Sequence, residues 1–461
     1  MSAIETEDVE LLVIGGGKAG KSLAMDRAKA GWDVAMVERD KIGGTCINVA
    51  CIPTKALVGS ARTLLTARGA AEMGVDLPGE PTISLERLRE HKESVVGGMV
   101  DAHKKLFADS GMDFVLGTAR FVAERTVEVS TDGGKRRLRG RDVVVNTGTA
   151  PAEPDLPGLA DADVWNSETI LHLERLPESL LVLGGGYVGC EFASMFAVFG
   201  TRVTVLQGRD QVLPREDPDV AGEVAEVLRR QGVELRLGAR ASAVRREPGH
   251  GAVVVTLDDG SEVRGAELLV ATGRRPVTAD LGLAVAGVEL DDRGFVVVDE
   301  RLRTGADHVW AVGDVAGSPQ FTHASWNDFR VLRANLTGGD AVTVGRLVPY
   351  AVYTTPELAR VGLSETEARE HGYDVKVATL PLAAIPRAKT LHDTTGMWKA
   401  VVDAATDRIL GVALLGHGSG EVVAAVQMAM LGGLTYQQVR DAVITHPSMG
   451  EGLNLLFDAL G

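Results

Sequence analysis

Cysteine is scarce in this chain: 461 residues hold three, at positions 46, 51 and 190. Three cannot build the framework that staples small secreted domains, so a working pair among them is metal-binding or catalytic. Aromatic residues are sparse too, with five tryptophans, five tyrosines and ten phenylalanines against 55 glycines. That balance disfavours an aromatic-rich recognition surface and suits α/β folds whose glycine turns bring backbone close to a ligand. Positive charge is short, with 48 Lys and Arg against 63 Asp and Glu and a net charge of −15. Such a chain is not drawn generally to nucleic acid or to an anionic membrane. The opening MSAIETEDVE lacks the basic region and apolar core of a signal peptide. Long apolar runs are missing as well. Residues 180–200 come nearest, but Glu191 and a glycine triplet interrupt them, which fits a buried strand, turn and helix better than a membrane span. The expectation is a cytoplasmic globular protein of about three domains.

What is present is a duplicated pattern. An apolar run at 9–14 ends in GGGKAG (15–20), an amphipathic segment follows, and a second apolar run closes at Glu38. The same order returns as LLVL, GGGYVG (184–189), a helical segment and RVTVL closing at Gln207. Gly15 precedes Glu38 by 23 positions, and Gly184 precedes Gln207 by the same interval. One such glycine motif is weak evidence. Two, each between an apolar strand and a helix with matched spacing, predict two dinucleotide-binding modules. VVVNTGTAP (143–151) and LLVATGRRP (268–276) form a second duplicated element. Between the modules, Leu85, Leu88, Val95, Met99, His103 and Leu106 fall on one face of a helix over 85–109. Beyond about 345, strand-like segments are followed by helical ones at 419–434, 436–443 and from 449. These predict a separate α+β domain.

The chemistry concentrates in GGTCINVACIPTK at 43–55. Cys46 and Cys51 could be buried and inert, as unpaired cysteines often are. A zinc site would need further ligands that no neighbouring Cys or His cluster supplies. Lying beside the first module's strand end, the two read best as a redox pair, close enough if the first helical turn is distorted. Cys190, inside the second module's helix, reads as a small core residue.

GGTCINVACIPTK, with GGGKAG, TGTAP, GGGYVGCE, ATGRRP, AVGDV and THPSMGE in that order and spacing, resembles the class I pyridine nucleotide–disulfide oxidoreductases, the flavoprotein disulfide reductases, over the whole chain. The resemblance implies an α/β fold with FAD- and NAD(P)H-binding Rossmann-like domains and a C-terminal α+β dimerisation domain. Its boundaries would be 1–155 and 276–344 for FAD, 156–275 for NAD(P)H, and 345–461 for dimerisation. Gly15, Gly17 and Gly20 would then seat the FAD pyrophosphate at a helix N-terminus, where free amides and the helix dipole favour anions. Glu38 would accept from the adenosine ribose and Asp314 would hold a ribityl hydroxyl, with Gly44, Thr45, Thr147 and Gly148 completing the FAD set. Lys55, paired with Glu191, would lie at the flavin edge where reduced flavin is anionic. Gly184, Gly186, Gly189 and Gly273 would take NADPH or NADH, with Tyr187 as a gate. Gln207 stands where an acidic residue selects NADH, and Arg209 could bind a 2′-phosphate, which leans towards NADPH. His446 and Glu451 match the acid/base dyad that serves the partner subunit's disulfide, so a homodimer is implied.

Within the family, the absence of a terminal cysteine pair departs from the high-molecular-weight thioredoxin reductases and from mercuric reductases. PQFTHASWNDFR, LPLAAIPRAKTL and PSMGEGLNLLF nevertheless look most like the mercuric-reductase-like branch, with dihydrolipoyl dehydrogenases close by. The implied reaction passes electrons from NAD(P)H through FAD to Cys46–Cys51 and on to a small disulfide. The alternative acceptor is a metal ion, a quinone or another oxidant. No resident metal is expected.

Overall fold

The computed structural model describes residues 4–172 and 174–460, and the chain gathers into two compact units. The first comprises residues 1–54, 90–152 and 274–346. Its seven-stranded sheet is ordered Asp113–Leu116, Val34–Glu38, Thr6–Ile14, Gly134–Val145, Thr126–Thr131 and Thr118–Ala123, with Val309–Ala311 also on Gly134–Val145. The strands that matter run parallel and end level. Ile14 faces both Val37 and Val145, and Ala311 faces Val145. Gly15, Glu38, Asn146 and Val312 therefore emerge along one carboxyl edge, the place where open α/β sheets bind ligands. Leu11, Val13, Met36 and Val144 pack one face of the sheet against the helix Lys18–Lys29, while Leu12, Val37, Val143 and Val145 fill the other.

The second unit comprises residues 55–89, 153–273 and 347–461. Its parallel sheet is ordered Glu234–Leu237, Arg202–Gln207, Ser179–Leu183, Glu267–Val270 and Trp165–Asn166. A three-stranded antiparallel sheet spans Ala241–Gly265, and a five-stranded antiparallel sheet is built from strands between Tyr350 and Leu415. Leu57, Val58, Ala61 and Leu64 share one core with Leu180, Phe192, Phe196, Val352 and Leu415. That shared core is why 55–89 and the C-terminal sheet cluster with the second glycine module. Lys399, almost wholly buried, ties the C-terminal sheet to the second glycine module by pairing with Asp217, Asp219 and Glu365 at 2.8–3.1 Å.

The segment 180–200 is the strand Ser179–Leu183, a glycine turn and the helix Tyr187–Val198. Among the described residues, no helix is long and apolar enough to cross a membrane. Two local expectations need correction. Leu106 is exposed and Phe107 takes the buried place, because steps of four along Leu85–Ser110 carry the face from Met99 through His103 to Phe107. The late helices are also shorter than read: Ser419–Leu431, Tyr436–Arg440 and Gly452–Asp458. Gly432 and the left-handed Gly433 stop the first, and a Thr435–Gln438 capping box starts the second.

In both modules the glycine turn is required by contact. A Cβ on Gly15 would lie 2.4 Å from the Asn146 carbonyl oxygen, and one on Gly184 would lie 2.5 Å from that of Ala271. On Gly189 it would lie 1.9 Å from the Gly184 carbonyl oxygen, whereas Gly186 has nothing within 4 Å. Gly189→Ala should therefore cost roughly 1–3 kcal/mol in chemical denaturation, and Gly186→Ala should leave stability unchanged. Equal midpoints for the two variants would contradict this account of the turn.

Candidate functional site

In the first unit, Gly17 opens the helix Lys18–Lys29 without a capping side chain, so its first amides remain available. Ser325 takes one of them, from Ala19 at 3.2 Å. Glu38 is fixed by backbone: its carboxylate accepts from the Gly16 amide at 2.8 Å and the Asp40 amide at 3.0 Å. Each oxygen keeps lone-pair capacity for a hydroxyl donor. Asn146, which the sequence reading missed, donates to the Gly15 carbonyl at 3.0 Å, and its amide nitrogen leaves no room for a Cβ on Gly17 or Gly20. The hint was its place just before TGT. Thr147 donates to the Val277 carbonyl at 2.7 Å, and Gly148 takes a left-handed φ of 69°. Thr149 donates to Asp314 at 2.6 Å, and Arg274 donates to both the hydroxyl and the carbonyl of Thr149. Burial pushes the Asp314 carboxyl up.

The loop carrying the cysteines rests on this turn. Gly43 and Gly44 are both left-handed, and a Cβ on Gly44 would meet the Gly16 carbonyl at 2.9 Å. Asn48 fastens the loop by donating to the carbonyls of Ile42 and Gly44 at 2.9 Å. Cys46 and Cys51 do not share a distorted helical turn. Cys46 lies with Thr45 in the short helix Gly44–Asn48, and Cys51 opens the next helix, Cys51–Arg68, after a break at Val49. The break folds the two sulfurs together: a hydrogen bond with Cys51, then burial, pushes the Cys46 thiol up. Thr322, the first residue of the helix Thr322–Asn335, brings its hydroxyl to 3.4 Å from the Cys51 sulfur. It had no local sequence signal beyond standing in PQFTHASW.

In the second unit, Lys55 pairs with Glu191 at 2.7 Å, and the other carboxylate oxygen of Glu191 accepts from the Tyr353 amide at 2.8 Å. The Lys55 ammonium also lies 4.7 Å from the centre of the Tyr353 ring. Cys190 is fully buried. Gly186 caps the helix Tyr187–Val198 with open space before it, while Gly273 adopts φ 141° with nothing near its missing Cβ. Tyr187 packs on Tyr350 with centroids 5.3 Å apart and donates to Glu216 at 3.2 Å. Burial and the Glu216 charge push its hydroxyl up to about 12. Gln207 is nearly buried and donates to the Gln211 carbonyl at 3.2 Å, whereas Arg209 is exposed. His446 is 70% exposed, and its Nδ1 lies 2.9 Å from the Glu451 carboxylate.

The arrangement fits FAD and a nicotinamide nucleotide, because each glycine cradle keeps clear the space that a Cβ would fill and offers uncapped helix amides. Among the described residues, no group of three or more His, Cys, Asp or Glu is placed to hold a metal ion.

Comparison with known proteins agrees with the geometry. Residues 9–328 match the family model described as pyridine nucleotide-disulphide oxidoreductase, and 348–456 match that family's dimerisation domain. The probable pyridine nucleotide-disulfide oxidoreductase RclA of Escherichia coli is 42% identical, covering 97% of this chain and 98% of that protein. A dihydrolipoyl dehydrogenase of Haloferax volcanii is 36% identical, covering 96% and 94%. A mercuric reductase of Bacillus cereus is 34% identical over 97% of this chain and 71% of that longer protein. A solved structure described as the Cu(II) complex of HOCl-induced flavoprotein disulfide reductase RclA from Escherichia coli superposes with a TM-score of 0.91, at 41% identity, over 99% of this chain and 100% of that one.

Glu38 offers a direct test of the first cradle. Glu38→Ala removes the acceptor for two amides at the turn, each bond to a charged group being worth about 1.5–3 kcal/mol. The purified variant should retain clearly less flavin absorbance per chain, with its circular dichroism unchanged. A variant as yellow as the parent would show that Glu38 does not organise the cradle.

Proposed function

Since this chain belongs to the pyridine nucleotide–disulfide oxidoreductases, FAD-dependent enzymes that use NAD(P)H, we propose that its Cys46–Cys51 pair carries their electrons to a small disulfide. The observation behind this reading is the Cys46–Cys51 pair, near enough for Cys51 to push the Cys46 thiol up, on a loop seated against the first glycine turn. Bound FAD would supply the two-electron relay between NAD(P)H and the pair. In the reduced pair, the Cys46 thiolate attacks one sulfur of the acceptor disulfide, and the departing sulfur takes a proton from the partner subunit's His446. Cys51 then attacks the Cys46 sulfur of the mixed disulfide, closing the Cys46–Cys51 bond and displacing the acceptor's second sulfur, which leaves as a thiol with the proton Cys51 gives up. The dithiol is oxidised and the acceptor gains two electrons and two protons. Glu451 holds His446 by Nδ1, which leaves Nε2 for the proton. Thr322 donates to the Cys51 sulfur when it is anionic, and Lys55, anchored by Glu191, would supply the positive charge that reduced flavin needs.

The family's dimerisation domain supports a homodimer. We assign FAD binding to 1–155 and 276–344, NAD(P)H binding to 156–275 and dimer contacts to 345–461. A cytoplasmic setting suits an NAD(P)H-dependent dithiol enzyme. Arg209, exposed beside the uncharged Gln207, supports use of NADPH.

A second reading has its own support: the Escherichia coli relative was solved with Cu(II). In that reading the same dithiol reduces a metal ion or another oxidant and needs no proton from His446.

One variant separates the two. His446→Gln should leave reduction of the flavin by NADPH nearly intact in stopped flow and slow disulfide turnover by roughly 10²-fold. Glu451→Gln should give a smaller loss of the same kind. A mixed dimer of Cys46→Ser and His446→Gln chains should recover one working site. Disulfide turnover that survives His446→Gln would overturn the first reading, and Cu(II) reduction that survives it would favour the second.

The nucleotide preference is tested separately. Arg209→Ala should raise KM for NADPH about tenfold and leave KM for NADH almost unchanged, about the worth of one charge-assisted bond. Equal effects on both would remove Arg209 from the selectivity argument.

A further inference from the structure

Lys21 is the buried charge that this chemistry leaves unused. It stands one turn into the helix Lys18–Lys29 and is only 3% exposed. Its ammonium donates to the Gly43 carbonyl at 2.8 Å and, among the described residues, forms no ion pair with any carboxylate. An ammonium removed from water against one neutral acceptor is costly, and burial of this kind is ordinarily compensated by an anion. Gly43 leads directly into the helix Gly44–Asn48 that carries Cys46.

The groups around it narrow the choice of anion. Lys18 stands on the same helix and His103 faces from the helix Leu85–Ser110, while Cys51 and Thr322, which opens the helix Thr322–Asn335, lie against the redox pair. Burial, then Lys18, brings the Lys21 ammonium down to about 8, while Cys46 acts in the opposite sense. His103 is held below its usual value by burial, with Lys21 and Lys18 adding to it. Cys51 and burial hold the Cys46 thiol up, and Lys21 is a cation that opposes them.

We propose that Lys21 is a positioning residue of the redox pair: its ammonium stabilises the thiolate of Cys46 from within the same subunit. The proposal rests on Cys46 being the attacking thiol. It gives the thiolate a counter-charge within its own subunit, separate from the proton that His446 delivers once the acceptor disulfide opens.

The test uses the FAD-loaded dimer in a His446→Gln background, so that the His446 imidazole does not contribute. After two-electron reduction with dithionite under anaerobic conditions, iodoacetamide alkylation is followed against pH and the modified cysteine is identified by mass spectrometry. Lys21→Gln keeps a donor for Gly43 and removes the charge. It should move the midpoint of Cys46 alkylation to higher pH and slow the reaction at neutral pH roughly tenfold. Lys21→Arg should restore the parent profile, and Lys21→Met serves if the glutamine variant does not accumulate. An unchanged Cys46 profile in the neutral variants overturns the proposal. If those variants also lose FAD, the anion served is the cofactor's pyrophosphate instead. Alkylation of Cys51 in place of Cys46 in the parent would overturn the assignment of the attacking thiol, and this proposal with it.

Discussion

The structure depends on backbone pressed against backbone at the ends of two parallel strands. Asn146 and Ala271 push their carbonyls into the places where Gly15 and Gly184 would carry a Cβ. This contact sets where each following helix begins and aims its uncapped amides along the carboxyl edge of its sheet. In the first unit it reaches further. Gly44 lies against the carbonyl of Gly16, so the loop bearing Cys46 is seated on the cradle itself. A side chain at Gly44 would press on that turn and displace the loop that carries the redox pair.

Buried charge is handled in two ways. Glu191 and Lys399 are enclosed but satisfied, the first by Lys55 and the Tyr353 amide, the second by three carboxylates. Such groups fix geometry, and their net contribution to stability is small because desolvation offsets attraction. Lys21 is enclosed and carries no matching carboxylate among the described residues, with only a carbonyl to hold it. A charge left in that state is maintained for an anion that comes and goes, and a thiol that is alternately oxidised and reduced is one.

Most of the architecture was legible in the sequence because its determinants are local. Glycine spacing, the level strand ends at Glu38 and Gln207, and the Cys46–Cys51 interval all lie within short windows. The missed residues come from far along the chain: Asn146 meets Gly15 across 131 positions, and Thr322 meets Cys51 across 271. A threonine opening a helix has no pattern that announces a sulfur partner. The reading of Leu106 over Phe107 failed for a different reason. Over a long helix, a stripe counted from its beginning drifts unless the steps of four are followed to the end.

The acceptor is the part that no window encodes, and the chemistry explains why. A dithiol delivers the same two electrons to a disulfide or to an oxidising metal ion; the two differ in the need for a proton at the departing atom. His446 is bound by Glu451 through Nδ1 and is 70% exposed, so its other ring nitrogen faces solvent-accessible space. A histidine held in this way has a clear use if the departing atom is sulfur and none if electrons pass to a metal. The His446–Glu451 pair therefore suits an acceptor whose departing atom needs a proton. The two kinds of acceptor part ways only late, because the step that reduces a cysteine pair is common to them and the proton enters after it.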